Sequence, residues 1–118
     1  MGKTYYALFG GKNPQLMRST DLKNWTYLGD LLHKDYPAKN LGGPRHEDIS
    51  CANFFKIGNN WMLLGISHPM GCRYYLGDFQ DEKYLPELHA RMSWKKYGPR
   101  HGFFTPESML THDGRRVM

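Results

Sequence analysis

Short apolar and aromatic runs, separated by Gly, Pro, Asn and Asp, recur along the whole chain. Runs of this length bounded by turn residues are typical of strands. The pattern predicts longer strands at 4–9, 15–19, 26–29, 53–57, 61–67 and 72–79, and shorter ones at 102–105 and from 115 onward, after a turn at 112–114. Gly58-Asn59-Asn60 predicts the clearest hairpin, because such residues favour tight turns between strands. We therefore expect consecutive antiparallel meanders.

Two features refine this picture. Asp21 and Asn24 are expected to hydrogen-bond their own backbone in a tight turn before Trp25. The hydrophobic residues in 80–96 show no clear periodicity. Leu85 to Trp94 would form at most one irregular helical turn, because Pro86 disfavours a longer helix. An aromatic content of 14% and the presence of 13 Gly also favour strands and turns. The predicted fold class is all-β.

The polar segment 33–48 contains two prolines and two glycines, and we expect it to be a loop. Loops of this length inside a compact domain are often functional. Just after it, Cys51 and, further on, Cys72 either form a pair or are both buried thiols. Zinc would require His46 and His68 to join these cysteines, but their spacing lacks paired CxxC units, so we expect no metal.

Charge and hydropathy exclude some classes of function. The net charge is +5, but Lys and Arg are spread along the chain, with Lys95-Lys96 and Arg115-Arg116 as the densest runs. A nucleic-acid surface usually clusters its charge, so nucleic-acid binding is not expected. No apolar run is long enough to span a membrane. No secretory signal precedes the first strand pattern, and the location of the protein is left open.

An ordered set of motifs resembles glycoside hydrolase family 32, the invertase and β-fructosidase type. Ser50-Cys51-Ala52-Asn53-Phe54-Phe55 followed by Trp61 resembles the family's Glu-Cys-Pro-Asp-Phe-Phe and Trp. Further similarities are Tyr74-Tyr75-Leu76-Gly77-Asp78-Phe79, Phe103-Phe104-Thr105-Pro106-Glu107 and Gly114-Arg115-Arg116-Val117. Upstream, the segment from Ser19 to Gly29 resembles a blade motif of five-bladed glycosidases more widely.

The resemblance implies a fragment of a five-bladed β-propeller. A blade takes roughly 40 to 50 residues, so the chain covers about two to three blades. We expect residues 1–32 to be the end of one blade, 33–48 a loop, 49–96 the next blade and 97–118 the start of the following one. The family's nucleophile motif Asn-Asp-Pro-Asn and its Arg-Asp-Pro motif are both missing. The chain is therefore expected to be an internal piece that is inactive alone.

The resemblance also implies a retaining hydrolase that uses two carboxylates and no cofactor. The family's general acid/base is the Glu directly before Cys, where this chain has Ser50. If the strand enters with a bulge or a shifted register, Glu47 could reach the same space. We therefore assign Glu47 as the general acid/base, with Asp48 as the alternative. A degenerate site, or a solvated acid in a loop, remains open.

Glu107, Arg45 and His46 are expected to contact a carbohydrate substrate. Trp25, Trp61 and Trp94 could stack on sugar rings, although for Trp25 and Trp61 we expect core packing instead. Two other functions stay open: a related glycosidase acting on arabinose- or xylose-containing glycans, and a non-catalytic carbohydrate-binding module. Open sheet edges would let the fragment associate with itself.

Overall fold

The structure, a computed structural model, describes residues 3–36, 48–68, 71–92 and 105–118. In these ranges the chain forms strands and no helix. The strands are β1 (Tyr5–Phe9), β2 (Gln15–Ser19), β3 (Thr26–Asp30), β4 (Ser50–Ile57), β5 (Asn60–Ser67), β6 (Gly71–Gln80), β7 (Lys83–Arg91), β8 (Met109–Leu110) and β9 (Arg116–Val117). Every strand pair is antiparallel, and the sheet orders are β1-β2-β3, β4-β5-β6-β7 and β8-β9. The first two sheets are thus simple meanders, and the third is a hairpin.

The turn between β2 and β3 is built by side chains that accept backbone hydrogen bonds. The Asp21 carboxylate accepts from the backbone N–H groups of Asn24 (2.8 Å) and Lys23 (2.9 Å). The Ser19 hydroxyl oxygen accepts from the N–H of Leu22 (2.9 Å), which has a positive φ of 63°. The bonds from Asn24 and Lys23 hold the pKa of Asp21 below its usual range. The prediction of a self-bonded turn is confirmed for Asp21, whereas the side chain of Asn24 donates to the Asp21 carboxylate at 2.8 Å.

In the four-stranded sheet, a bulge accommodates a proline. Leu76 pairs with Leu88, but Gly77 pairs with Pro86, so β7 has one extra residue at this point. Proline has no N–H to donate and is tolerated at bulges. A Cβ at Gly77 would lie 2.1 Å from the carbonyl oxygen of Leu85, and only glycine allows this approach. Residues 83–91, whose hydrophobic residues show no clear periodicity, therefore form a strand. The prediction of an irregular helical turn from Leu85 to Trp94 is wrong for residues 85–92, which the structure describes.

The first two sheets pack face to face around one apolar cluster. Its buried members are Leu16, Leu31, Ile49, Leu63, Tyr75 and Tyr84. Phe54 packs against this cluster. The centroid of its ring lies 4.9 Å from the ring centroid of Trp61 and 5.0 Å from that of Tyr84. Trp61 therefore packs in the core, as the usual role of such a residue predicts. The two meanders share a single hydrophobic interior.

Polar contacts also join the two sheets. Glu82, in the turn between β6 and β7, accepts a hydrogen bond from Arg18 (2.8 Å) and one from the hydroxyl of Tyr6 (3.3 Å). The Lys83 ammonium donates to the backbone oxygen of Asp30 at 2.5 Å. The far turn of the second sheet is thus attached to the first sheet.

The opposite face of the second sheet carries a smaller apolar cluster of Phe55, Leu64 and Cys72. The Arg116 guanidinium lies 3.9 Å from the ring centroid of Phe55, which is a close cation–π contact. The hairpin of β8 and β9 therefore packs on the side of the second sheet that faces away from the first.

Most of the predicted strands are confirmed within a residue or a few of their expected ends. The greater part of the predicted strand at 102–105 and the loop residues 37–47 lie outside the described residues, as does Trp94. Both cysteines are free, which excludes the pair. Only Cys72 is buried, so the expectation of two buried thiols is wrong for Cys51, which is exposed.

Candidate functional site

The site begins at a bulge near the start of β4. Ser50 pairs with Ile66 and Asn53 pairs with Leu64, so β4 carries one residue more than β5 here. Cys51 has a positive φ of 47° within this bulge. Such a bulge changes which face of the sheet the preceding residues occupy, and Ile49 accordingly lies in the core between the two sheets, at 6% exposure. The bulge considered in the sequence is present.

Asp48 directly precedes this buried residue and is held by three hydrogen bonds. Its Oδ2 accepts from the hydroxyl of Ser50 at 2.7 Å. Its Oδ1 accepts from the backbone N–H of His68 at 2.9 Å, and Oδ2 lies 2.5 Å from Nδ1 of the same histidine. The carboxylate therefore connects the start of β4 to the residue that follows β5.

These contacts decide the charge of Asp48. Partial burial raises the pKa of its carboxyl, but the bonds from Ser50 and from the backbone and ring of His68 outweigh burial and lower the pKa to about 2. The carboxyl is consequently ionised at neutral pH. An ionised and fully engaged carboxylate suits a role in positioning other groups.

Asn53 connects β4 to the segment that contains Glu107. Its Oδ1 accepts from both the backbone N–H and the hydroxyl of Ser108, each at 3.0 Å. Its Nδ2 donates to the Pro106 carbonyl and to Oε2 of Glu107, each at 3.3 Å. Glu107 itself is exposed. One amide thus places this carboxylate beside the start of β4.

The sequence-predicted site residues divide into two groups. Glu47, Arg45 and His46 lie outside the described residues. Asp48 and Glu107 are described, and both attach to the first residues of β4 through the contacts given above. The roles proposed for these two carboxylates in the sequence stay predictions.

Two residues of the site were missed in the sequence. Asn53 was treated only as part of a motif, and His68 only as a candidate zinc ligand. The pairing of Ser50 with Ile66, continued by two residues, places His68 opposite Asp48. The hairpin predicted at Gly58, together with one extra residue in β4, is enough to predict that His68 lies opposite Asp48.

Other candidate features are weaker. Among the described residues there is no group of three or more His, Cys, Asp and Glu side chains able to hold a metal ion. No helix in the described ranges has the length and apolarity to cross a bilayer. A shallow cavity of about 210 Å³ lies between the turn joining β1 to β2 and the segment that follows β3, lined by Asn13, Pro14, Asp30, Leu32, His33, Lys34 and Tyr36. Neither Asp48 nor Glu107 lines it.

Consecutive antiparallel meanders that pack face to face are the architecture of β-propeller blades, and the described chain is an open segment of this kind. A solved structure of the GH32 β-fructofuranosidase BmSUC1 of Bombyx mori matches with a TM-score of 0.68 and 20% sequence identity. The match covers 98% of this chain and 26% of that chain. No family model and no curated protein matches the sequence.

This likeness shows the fold. The prediction of an all-β fragment of a GH32-type propeller, made of antiparallel meanders, is confirmed at this level. The chain spans 26% of the length of the structure it matches. Its activity, substrates and partners are therefore matters for proposal.

Proposed function

We propose that this chain is part of a retaining glycoside hydrolase that cleaves β-fructofuranosides, and that it supplies the general acid/base Glu47. The observation that carries the proposal is the fold likeness to a β-fructofuranosidase along 98% of the chain. The ordered motifs in the sequence also support it, because they are features of the residues themselves. The predicted blade boundaries are part of the same proposal.

Glu47 is the better candidate for the general acid, because hydrogen bonds from Ser50 and His68 keep Asp48 ionised. A general acid must keep its proton near neutral pH, so its pKa has to be raised. The pKa of Asp48 is lowered to about 2, and its oxygens already accept bonds from Ser50 and His68. Glu47 directly precedes Asp48 in the chain. We therefore assign Asp48 a positioning role and leave the proton transfer to Glu47.

The proposed reaction needs a second carboxylate. Retaining glycosidases place two carboxyl groups about 5 to 5.5 Å apart, one to attack the anomeric carbon and one to protonate the leaving oxygen and then activate water. The nucleophile would come from a part of the protein not included in this chain. Glu107, held by Asn53, would accept hydrogen bonds from sugar hydroxyls. Arg45 and His46 stay proposed substrate contacts, and no cofactor is needed.

The decisive experiment replaces Glu47 by Gln in the protein that carries this segment together with its nucleophile. We expect kcat on sucrose to fall by about 10² to 10⁴, the usual contribution of general acid–base catalysis. A fructoside with a strongly acidic leaving group should recover much of the rate, since that group departs without protonation. Glu87→Gln, an exposed position on β7, is the matched control. Unchanged turnover by the Glu47 variant would overturn the assignment.

One sequence feature favours two other candidate functions. Ser50 stands where the family motif has its acid, which favours a non-catalytic carbohydrate-binding module or a glycosidase for arabinose- or xylose-containing glycans. A panel of fructosides, arabinosides and xylosides separates these cases. Binding without turnover on every substrate identifies the module, and turnover of arabinosides or xylosides alone identifies the related glycosidase.

A further inference from the structure

We propose that His68 contacts the bound sugar, presenting its Nε2 to a substrate hydroxyl while Asp48 holds the ring in place. This inference deepens the proposed function and rests on it for the identity of the sugar. Its basis is the geometry of one histidine and one carboxylate at the end of the second sheet.

The contact with Asp48 determines which nitrogen of His68 is available. The carboxylate is an acceptor, so Nδ1, at 2.5 Å from Oδ2, carries the hydrogen of this bond. In the neutral ring, Nε2 is then the acceptor. Sugar hydroxyls both donate and accept hydrogen bonds, and they can pair with Nε2 as an acceptor. The ring therefore offers one defined polar atom.

The exposure of the pair indicates that this atom faces outward. The Asp48 side chain is 18% exposed, whereas that of His68 is 69% exposed. Neither apolar cluster of the described residues includes the histidine. A carboxylate with a depressed pKa thus fixes a ring that does not contribute to the core. Fixing an exposed side chain lowers the entropy lost when a ligand binds to it.

The position of the pair relates it to the proposed chemistry. Asp48 is the residue after Glu47, and consecutive Cα atoms are about 3.8 Å apart. The ring of His68 is therefore bonded to the residue next to the proposed acid/base. This adjacency along the chain, together with the exposure of a ring that Asp48 holds in place, is what favours a substrate contact.

Two conservative variants separate a substrate contact from a purely structural role. Glutamine places its terminal amide near the position of Nε2, and asparagine places its amide near the position of Nδ1. His68→Gln thus keeps a polar group for the sugar, while His68→Asn keeps a group that can bond Asp48. In the protein that carries this segment and its nucleophile, we expect His68→Ala and His68→Asn to raise KM for sucrose about tenfold, with kcat within about threefold.

The rescue pattern is the test. We expect His68→Gln to keep KM for sucrose within about threefold of the parent value. If His68→Asn restores KM and His68→Gln does not, the histidine only supports Asp48 and the inference is wrong. Thermal unfolding of all three variants identifies any that fails to fold. The test needs only the parent and the Gln and Asn variants, so loss of the Ala variant leaves it intact.

A second measurement uses the 118-residue chain and sucrose alone. Titration with sucrose should shift the ¹⁵N resonance of His68 Nε2, and unchanged ring nitrogens at saturating sugar would contradict the inference. The outcomes for the two proposals are distinguishable. Loss of turnover in Glu47→Gln with unaltered KM in every His68 variant removes the histidine contact and keeps the enzyme. Unaltered turnover in Glu47→Gln with a sugar-dependent shift removes the acid assignment and keeps the contact.

Discussion

Gly65 lies directly beneath the bulge of β4, against Ile49. A Cβ at Gly65 would be 3.0 Å from Cγ2 of Ile49 and 3.2 Å from the carbonyl oxygen of Ser50. Ile49 is buried in the core between the two sheets. Because Gly65 has no side chain, β4 can approach β5 closely at the bulge. The bulge in turn places Asp48 beside His68.

Replacement of Gly65 by Ala should disturb this arrangement. Because both neighbours are packed, the added methyl group must push them apart, and we expect the free energy of unfolding to fall by about 1 to 3 kcal/mol. Chemical denaturation measures this change. Gly58→Ala is a useful comparison, since its cost comes from a positive φ of 58° while a Cβ there meets open space. Equal stability of Gly65→Ala and the parent would contradict the close approach.

A second prediction concerns Asn53. In Asn53→Ala, the Ser108 N–H and the exposed Glu107 carboxylate lose their shared partner, and we expect the free energy of unfolding to fall by about 0.5 to 1.5 kcal/mol. Hydrogen exchange at the amide of Ser108 should become faster. Asn53→Asp keeps the acceptor for Ser108 and replaces the donor to Glu107, so it should preserve slow exchange better than Ala does. Asn59→Ala, in an exposed turn, serves as the control.

Much of the fold could be predicted because the local patterns agree with it. The apolar runs around Gly58 show where one hairpin turns, and Ser19 and Asp21 fill a turn that their side chains stabilise. β7 could not be recognised in the same way. Pro86 argues against both helix and strand, and it is accommodated only because Gly77 on the neighbouring strand lacks a side chain. This compensation lies between strands and has no local signature.

The candidate site was harder to predict from the sequence, because it too depends on contacts between residues far apart in the chain. Asp48 and Glu107 could be proposed from motifs, but the link between Glu107 and β4 depends on Asn53, which is far from it in the chain. His68 becomes a neighbour of Asp48 only after the extra residue in β4 is counted. A residue-type pattern does not reveal a bulge, because the bulge is set by packing against Gly65.

A third prediction follows from His89 on β7. Burial lowers the pKa of its imidazole, and the Arg73 guanidinium, which contacts Nδ1, lowers it further. The unfolded chain therefore binds a proton more readily than the folded one, and stability is lost as pH falls below the ordinary histidine value of about 6.5. We expect His89→Asn, which keeps an acceptor for Arg73 but does not titrate, to flatten the decline in unfolding free energy between about pH 7 and pH 5.

The matched variant for this prediction is His112→Asn. His112 is exposed in the turn between β8 and β9, so its replacement should leave the acid-induced decline as it is in the parent chain. Urea unfolding at a series of pH values measures both variants. A decline of the same size in His89→Asn and the parent would show that His89 does not cause it.

The last prediction concerns the free side of β1. This strand pairs with β2 through Tyr5 to Phe9, and no other described strand pairs with its opposite side over these residues. It contains no charged residue and no proline, the usual features that protect an edge strand. We therefore expect the 118-residue chain to associate at increasing concentration, which sedimentation velocity would detect. Ala7→Lys should reduce this association, whereas Thr4→Lys adds the same charge outside the strand and should reduce it less. A monomer at all concentrations, or equal effects of the two lysines, would show that this edge is not the contact.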